Sequence, residues 1–196
     1  PEDSIEVAKL LSESGIDNIE ISGGTYEQPR LLGLDKVSIN PKRSENRKES
    51  TIAREAYFLS YAEEIAKVVN IPLMVTGGFR TKEGMEAALS DGACEIVGVG
   101  RPLCANPYAI KELLSGQIDE LPKYEKTLSI GPWWLSPTSP FRLIQAINAF
   151  SAQAWFYQQI KKMGKGLMPD LNLKPWRAFR EDAKADQEAI KEYQNF

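Results

Sequence analysis

The stretch "IPLMVTGGFRTKEGMEAALSDGACEIVGVGRPL", Ile71 to Leu103, constrains the fold more than any other part of the chain. Leu73 to Thr76 is a short apolar run that stops at Gly77 and Gly78, and Pro72 forces an extended entry into it. Such a run fits a strand buried on both faces. Lys82 to Ser90 then carries Met85, Ala88 and Leu89 at helical spacing, with Thr81 as N-cap and Gly92 as stop. Ile96, Val97 and Val99 make a second buried strand, interrupted by Gly98 and closed by Gly100. Both apolar runs therefore end in glycine, with an arginine close behind, Arg80 in one case and Arg101 in the other.

Strands and helices alternating in this way imply parallel strands joined by right-handed crossovers. Upstream segments extend the pattern. Ser4 to Ser14 sets Val7, Ala8, Leu10 and Leu11 on one helical stripe, capped by Asp3 or Ser4 and ended by Gly15. "DNIEIS", Asp17 to Ser22, alternates Ile19 and Ile21 with polar neighbours until Gly23 and Gly24 break it. Thr51 to Val69 returns to helical period through Ile52, Ala56, Leu59, Ala62, Ile65 and Val69. The aperiodic stretch before Thr51 is a long loop that reads equally as a lid or as plain disorder. The fold class is α/β. Three parallel strands cannot close a barrel, which takes about 250 residues, so further strands come from elsewhere or the fold is incomplete.

After Arg101 the composition shifts. Asn106 and Pro107 cap a short helix to Leu114 with Gly116 as stop, and Leu121 to Pro140 is an irregular arm containing Trp133 and Trp134. A longer helix starts at Ser139 and Pro140 and runs through Met163, with Trp155, Phe156 and Tyr157 widening its apolar face. The last segment, Pro175 to Tyr193, is charged and weakly amphipathic. Residues 1–116 thus form the α/β part and 117–196 a Pro- and Trp-rich arm with a helical extension.

With 196 residues and 42% hydrophobic content the chain can bury a core, and a net charge of −3 argues against a nucleic-acid partner. The densest basic stretch, Lys42, Arg43, Arg47 and Lys48, is diluted by Glu45 and Glu49 and reads as a solvated loop. Histidine is absent, and Cys94 and Cys104 lack zinc or thioredoxin-like spacing, so reduced thiols in the cytosol are expected. No run approaches the roughly 20 apolar residues of a membrane span. Beginning at Pro1, just before a helix cap, the chain is expected to continue an upstream part.

In parallel α/β folds the loops after the strands form the ligand face. Glycine there lets the backbone approach an anion, so N–H groups around Gly77, Gly78 and Gly100 can point at phosphate oxygens. Arg101 adds a planar fork of donors, and a helix from Pro102 onward adds a favourable dipole. The plainer reading makes these turn glycines and surface arginines, and it is the better one for Gly78 or Arg101 taken singly. In tandem the two ends favour a ligand. Arg80 is weaker, since a solvated loop position explains it at least as well.

"IPLMVTGGFRT" and "GACEIVGVGRPLCANP" resemble the last two barrel units of the old yellow enzyme family, flavin-dependent NAD(P)H oxidoreductases and ene-reductases. "GIDNIEISGGTYEQP" resembles that family's sixth strand and its exit, so the likeness covers Pro1 to about Leu114. It implies the C-terminal portion, about strands six to eight, of a (β/α)8 TIM barrel holding FMN at its strand ends. It also implies that Gly78, Gly100 and Arg101 hold the FMN phosphate, with Gly77 and Phe79 flanking the first contact through backbone and ring edge. Family members use histidines, or a histidine and an asparagine, and commonly a tyrosine, upstream of the sixth strand; no catalytic residue can be assigned here, and no metal. The tail resembles C-terminal extensions of some branches, either packed on the barrel outside or making a dimer contact through Trp133, Trp134, Trp155 and Phe156.

The resemblance implies a parent that passes hydride from NADH or NADPH through FMN to an electron-poor small-molecule acceptor. Two alternatives stay open from the residues. The glycine ends also suit a sugar phosphate or other phosphorylated ligand, and the chain also reads as a non-catalytic structural or partner-binding piece.

Overall fold

The computed structural model describes residues 2–22 and 58–194. The long loop, its "GGTYEQP" entry, the basic stretch and the Thr51 to Tyr57 part of the next helix lie outside the described residues. In chain order the elements are α1 (Glu2–Glu13), β1 (Ile19–Ile21), α2 (Leu59–Ala66), β2 (Leu73–Thr76), α3 (Lys82–Ser90), β3 (Ile96–Gly98), α4 (Arg101–Ala105) and α5 (Ala109–Leu114), then α6 (Arg142–Gly164) and α7 (Pro175–Gln194). Short 3-10 turns occupy Tyr124–Lys126 and Trp133–Leu135. The described residues make two compact units, one containing 2–22, 58–100 and 108–122, the other containing 101–107 and 123–194.

The first unit is built on a parallel sheet of order β1-β2-β3. Ile19, Glu20 and Ile21 pair with Leu73, Met74 and Val75, while Met74, Val75 and Thr76 pair with Ile96, Val97 and Gly98. Alternation along a strand sends successive side chains to opposite faces. Val75 packs with Leu59, Ala62, Phe79, Ala88, Ala93 and Cys94, and Leu73 packs with Ala8 and Val69, so residues of α1, α2 and α3 and of the connecting loops cover this face. On the other face Met74 and Thr76 are only half-buried and Ile96 is 41% exposed. Burial of β2 and β3 on both faces, as the apolar runs imply, is therefore corrected: among the described residues the core clusters take up one face. A continuous apolar run records what a strand can bury; only its neighbours decide what it does bury.

Local chemistry sets the ends of these elements. Glu95 clamps the start of β2, its Oε2 accepting from Leu73 N at 2.7 Å while its own N–H donates to Leu73 O at 3.0 Å. Thr81 caps α3 as its sequence position predicts, Oγ1 accepting from Gly84 N at 3.1 Å. The helix expected from Asn106 is different. Pro102 suits a first helical turn, so a short helix opens at Arg101, and α5 follows with Tyr108 at its N-cap and no side-chain cap.

Gly98 is the tightest point of the sheet. A Cβ there would lie 1.7 Å from Thr76 Oγ1 and 2.7 Å from Met74 Cε, in the same register pair that joins β2 to β3. Only a residue without a side chain lets these two strands approach here.

The second unit centres on Trp155, 1% exposed and packed with Ala105, Leu128, Ala152, Ala154 and Ala178. Its Nε1 donates to Leu173 O at 2.9 Å, and Phe156 meets its ring edge-on at 5.2 Å between centroids. Trp155 is thus a core residue and not a surface anchor, a correction to the dimer-contact reading; Trp133 and Trp134 remain 89% and 60% exposed. Buried amides tie the irregular arm to α6. Asn148 Oδ1 accepts from Ile130 N at 3.0 Å, and its Nδ2 donates to Leu135 O and Ile144 O, both at 2.8 Å. Gln159 does the same for the α6–α7 connection, accepting from Asp170 N at 2.6 Å and donating to Asp170 O at 3.1 Å.

Two substitutions test this packing by urea denaturation. Gly98→Ala is predicted to cost about 1–3 kcal/mol through overpacking against Thr76. Asn148→Ala is predicted to cost about 1–3 kcal/mol because it leaves the half-buried Ile130 N–H and Leu135 carbonyl without the side chain that pairs them, while Ile144 O keeps its helical bond.

Candidate functional site

The strand ends of the first unit are where the sequence places a ligand. Because β2 and β3 are neighbours in parallel register, the residues that leave them emerge at the same end of the sheet. From β2 come Gly77 and Gly78, with φ of 124° and 92°, a backbone region that side-chain-bearing residues rarely occupy. From β3 comes Val99 and then Gly100, where an added Cβ would meet nothing within 4 Å. The two ends differ in what they ask of glycine. Gly77 and Gly78 need it for conformation, whereas at Gly100 the described residues leave room for a side chain.

The loop after β2 is held firmly. Phe79 is 1% exposed and belongs to the core beside Leu59 and Val75, so its ring packs inward and its backbone is what borders the glycine turn. Arg80 is buried at 5% exposure, with NH1 donating to Phe79 O at 2.7 Å, which replaces the solvated loop position expected from its sequence. Leu121 N donates to Arg80 O at 2.7 Å, and Thr81 bridges Glu120 in antiparallel fashion. Thr76 Oγ1, at the end of β2, is buried and has no hydrogen-bond partner among the described residues.

Arg101 follows Gly100 directly and opens α4 in the second unit. Its NH1 lies 3.7 Å from Glu125 Oε1, and its guanidinium donates to no acceptor among the described residues. A mostly buried cation whose charge is matched but whose donors find no acceptor among the described residues fits a planar, bidentate acceptor such as phosphate. Glu125 was not a candidate from sequence. It lies in an aperiodic arm, and only the fold brings it to Arg101.

The other reactive groups add no chemistry of their own. Burial pushes the Cys94 thiol up, aided by the Glu95 charge, and burial pushes Cys104 up against a smaller pull from Arg101, so both are poor nucleophiles. Among the described residues no three of His, Cys, Asp and Glu gather as metal ligands, and no helix is long and apolar enough to cross a membrane.

No protein-family model matches the chain. Similarity to curated proteins is clear. Over 114 residues it is 41% identical to the NADH-dependent flavin oxidoreductase iliE of Hypocrea jecorina, covering 57% of this chain and 26% of the relative. Over 165 residues it is 32% identical to the NADH-dependent flavin oxidoreductase iccE of Talaromyces variabilis, covering 82% of this chain and 37% of the relative. An NADH oxidase of Thermoanaerobacter brockii is 31% identical over 162 residues, again 82% of this chain and 22% of the relative. The chain is thus similar to part of several proteins named as NADH-dependent flavin oxidoreductases. It spans about a quarter to a little over a third of the length of these curated relatives.

The glycine assignments separate by measurement. Gly78→Ala is predicted to cost about 1–2 kcal/mol in urea denaturation, because a side chain is strained at its positive φ. Gly100→Ala is predicted to stay within about 0.5 kcal/mol of the unsubstituted chain, having neither strain nor clash.

Proposed function

We propose that this chain supplies the phosphate-holding end of an FMN-binding (β/α)8 barrel, about strands six to eight, in an oxidoreductase of the ene-reductase type. The observation that carries the proposal is the Gly100–Arg101 pair: among the described residues, a glycine with open space where its side chain would be, followed by an arginine whose guanidinium meets only a 3.7 Å carboxylate contact. The names of the relatives point the same way, since those proteins are NADH-dependent flavin oxidoreductases.

The sheet suits a barrel portion. In closed barrels one face of every strand points inward and fills the interior in layers. Here Glu20, Met74 and Ile96 stand in one register layer and Thr76 and Gly98 in the next, on the face that the core clusters leave aside. Such half-covered layers are what an interior looks like when its other strands are contributed from elsewhere.

Within that reading the backbone at Gly77, Gly78 and Gly100 approaches the FMN phosphate and the Arg101 guanidinium neutralises it. Phe79 fixes the first of these turns from inside the core. FMN, when bound, supplies the hydride chemistry between NADH or NADPH and an electron-poor acceptor. The residues of this chain bind and orient; the acid–base groups of the reaction belong to the rest of the parent protein. Free Cys94 and Cys104 suit a reducing, cytosolic setting, and exposed Trp133 and Trp134 are the anchors if the extension joins two copies.

The test is an FMN titration of the chain, followed by flavin fluorescence with circular dichroism on the same sample. Saturable quenching that Arg101→Ala weakens about tenfold or more, with the fold intact, is the predicted result. A folded chain that ignores FMN contradicts the proposal and favours a structural or partner-binding role.

A further inference from the structure

Arg101 does not stand alone in the second unit. The side chains of Arg101 and Glu125 are 20% and 13% exposed, and the 3.7 Å between NH1 and Oε1 is beyond hydrogen-bonding range. Glu125 therefore acts on the guanidinium through charge, at a depth where solvent and salt screen it weakly. A guanidinium with only a fifth of its side chain exposed is costly without a counter-ion and is expected to turn toward solvent if the carboxylate is removed.

The carboxylate is itself placed by packing. Glu125 sits in the 3-10 turn Tyr124–Lys126, which is closed by Lys126 N donating to Lys123 O at 3.0 Å and by Thr127 Oγ1 donating to Tyr124 O at 2.8 Å. Its neighbour Tyr124 lies 5.9 Å from the Trp155 ring, and Trp155 is fixed by its bond to Leu173. The helical extension holds the turn, and the turn presents the carboxylate to Arg101.

We propose that Glu125 is a positioning residue for Arg101, holding the guanidinium charge-matched and with its N–H groups available for the FMN phosphate. The inference rests on the role of Arg101 proposed above. Because 3.7 Å is too long for a hydrogen bond between Arg101 NH1 and Glu125 Oε1, a phosphate engages the fork without that contact having to break. The gain is pre-organisation: a long, rotamer-rich side chain is ordered before the anion arrives.

FMN titrations of the 196-residue chain test this with Arg101→Ala, Glu125→Gln, Glu125→Asp and the double variant Arg101→Ala/Glu125→Gln, each checked for folding by circular dichroism. Glu125→Gln is predicted to weaken FMN binding about tenfold, and Glu125→Asp, which keeps the charge, about threefold. In the Arg101→Ala background Glu125→Gln is predicted to change nothing further, which a merely structural role would not give. If Arg101→Ala weakens binding while Glu125→Gln does not, or if Glu125→Gln weakens binding equally in both backgrounds, the positioning role is overturned and the phosphate assignment stands. If Arg101→Ala binds as the unsubstituted chain does, or that chain binds no FMN, the phosphate assignment falls and takes the positioning role with it. Should Glu125→Gln fail to fold, Glu125→Asp decides alone, unchanged affinity overturning the inference.

Discussion

The contact between Thr76 and Gly98 is the constraint on which the rest of the first unit depends. It locks β2 and β3 together at the register that brings their exits side by side, and it works because Gly98 leaves no Cβ to meet the Thr76 hydroxyl. Everything proposed about ligand binding follows from this alignment. A slip of one residue in β3 would send its side chains to the opposite face and move Gly100 away from the level of Gly77 and Gly78. The Glu95 clamp on Leu73 holds the same pair of strands at their other end.

The second unit relies on polar side chains where the first relies on close backbone approach. Asn148 and Gln159 satisfy main-chain groups of segments with no regular structure, the arm and the α6–α7 connection. Buried amides in such places are stabilising only when all their bonds are made, and here they convert aperiodic chain into fixed scaffold. That scaffold presents Glu125 and orders Arg101, so the extension contributes to the electrostatics of a residue that sequence alone would assign entirely to the barrel motif.

What was legible in the sequence is what local chemistry decides. Leu73–Thr76 and Lys82–Ser90 agree with their readings because a proline entry, a threonine cap and terminal glycines act within a few residues. The face that β2 buries was not legible, since an apolar run says nothing about which neighbours are present. Nor did residue type separate Trp155 from Trp133: both are tryptophans near helical segments, yet one lies at the centre of a core and the other is almost fully exposed. The glycines at the candidate site were readable as strand ends, whereas the difference between them, a conformational need at Gly77 and Gly78 and room for a side chain at Gly100 among the described residues, depends on the fold. Glu125 carried no signal because its meeting with Arg101 depends on the path of an arm without periodicity.

The central claim is that the backbone at the two glycine ends receives a phosphate group. It is tested most directly by backbone amide NMR of the chain titrated in parallel with FMN and with riboflavin, which lacks the phosphate. The account predicts that the amide signals of Gly77, Gly78 and Gly100 shift with FMN and stay in place with riboflavin. Equal shifts with both ligands, or shifts that leave these glycines untouched, would contradict it.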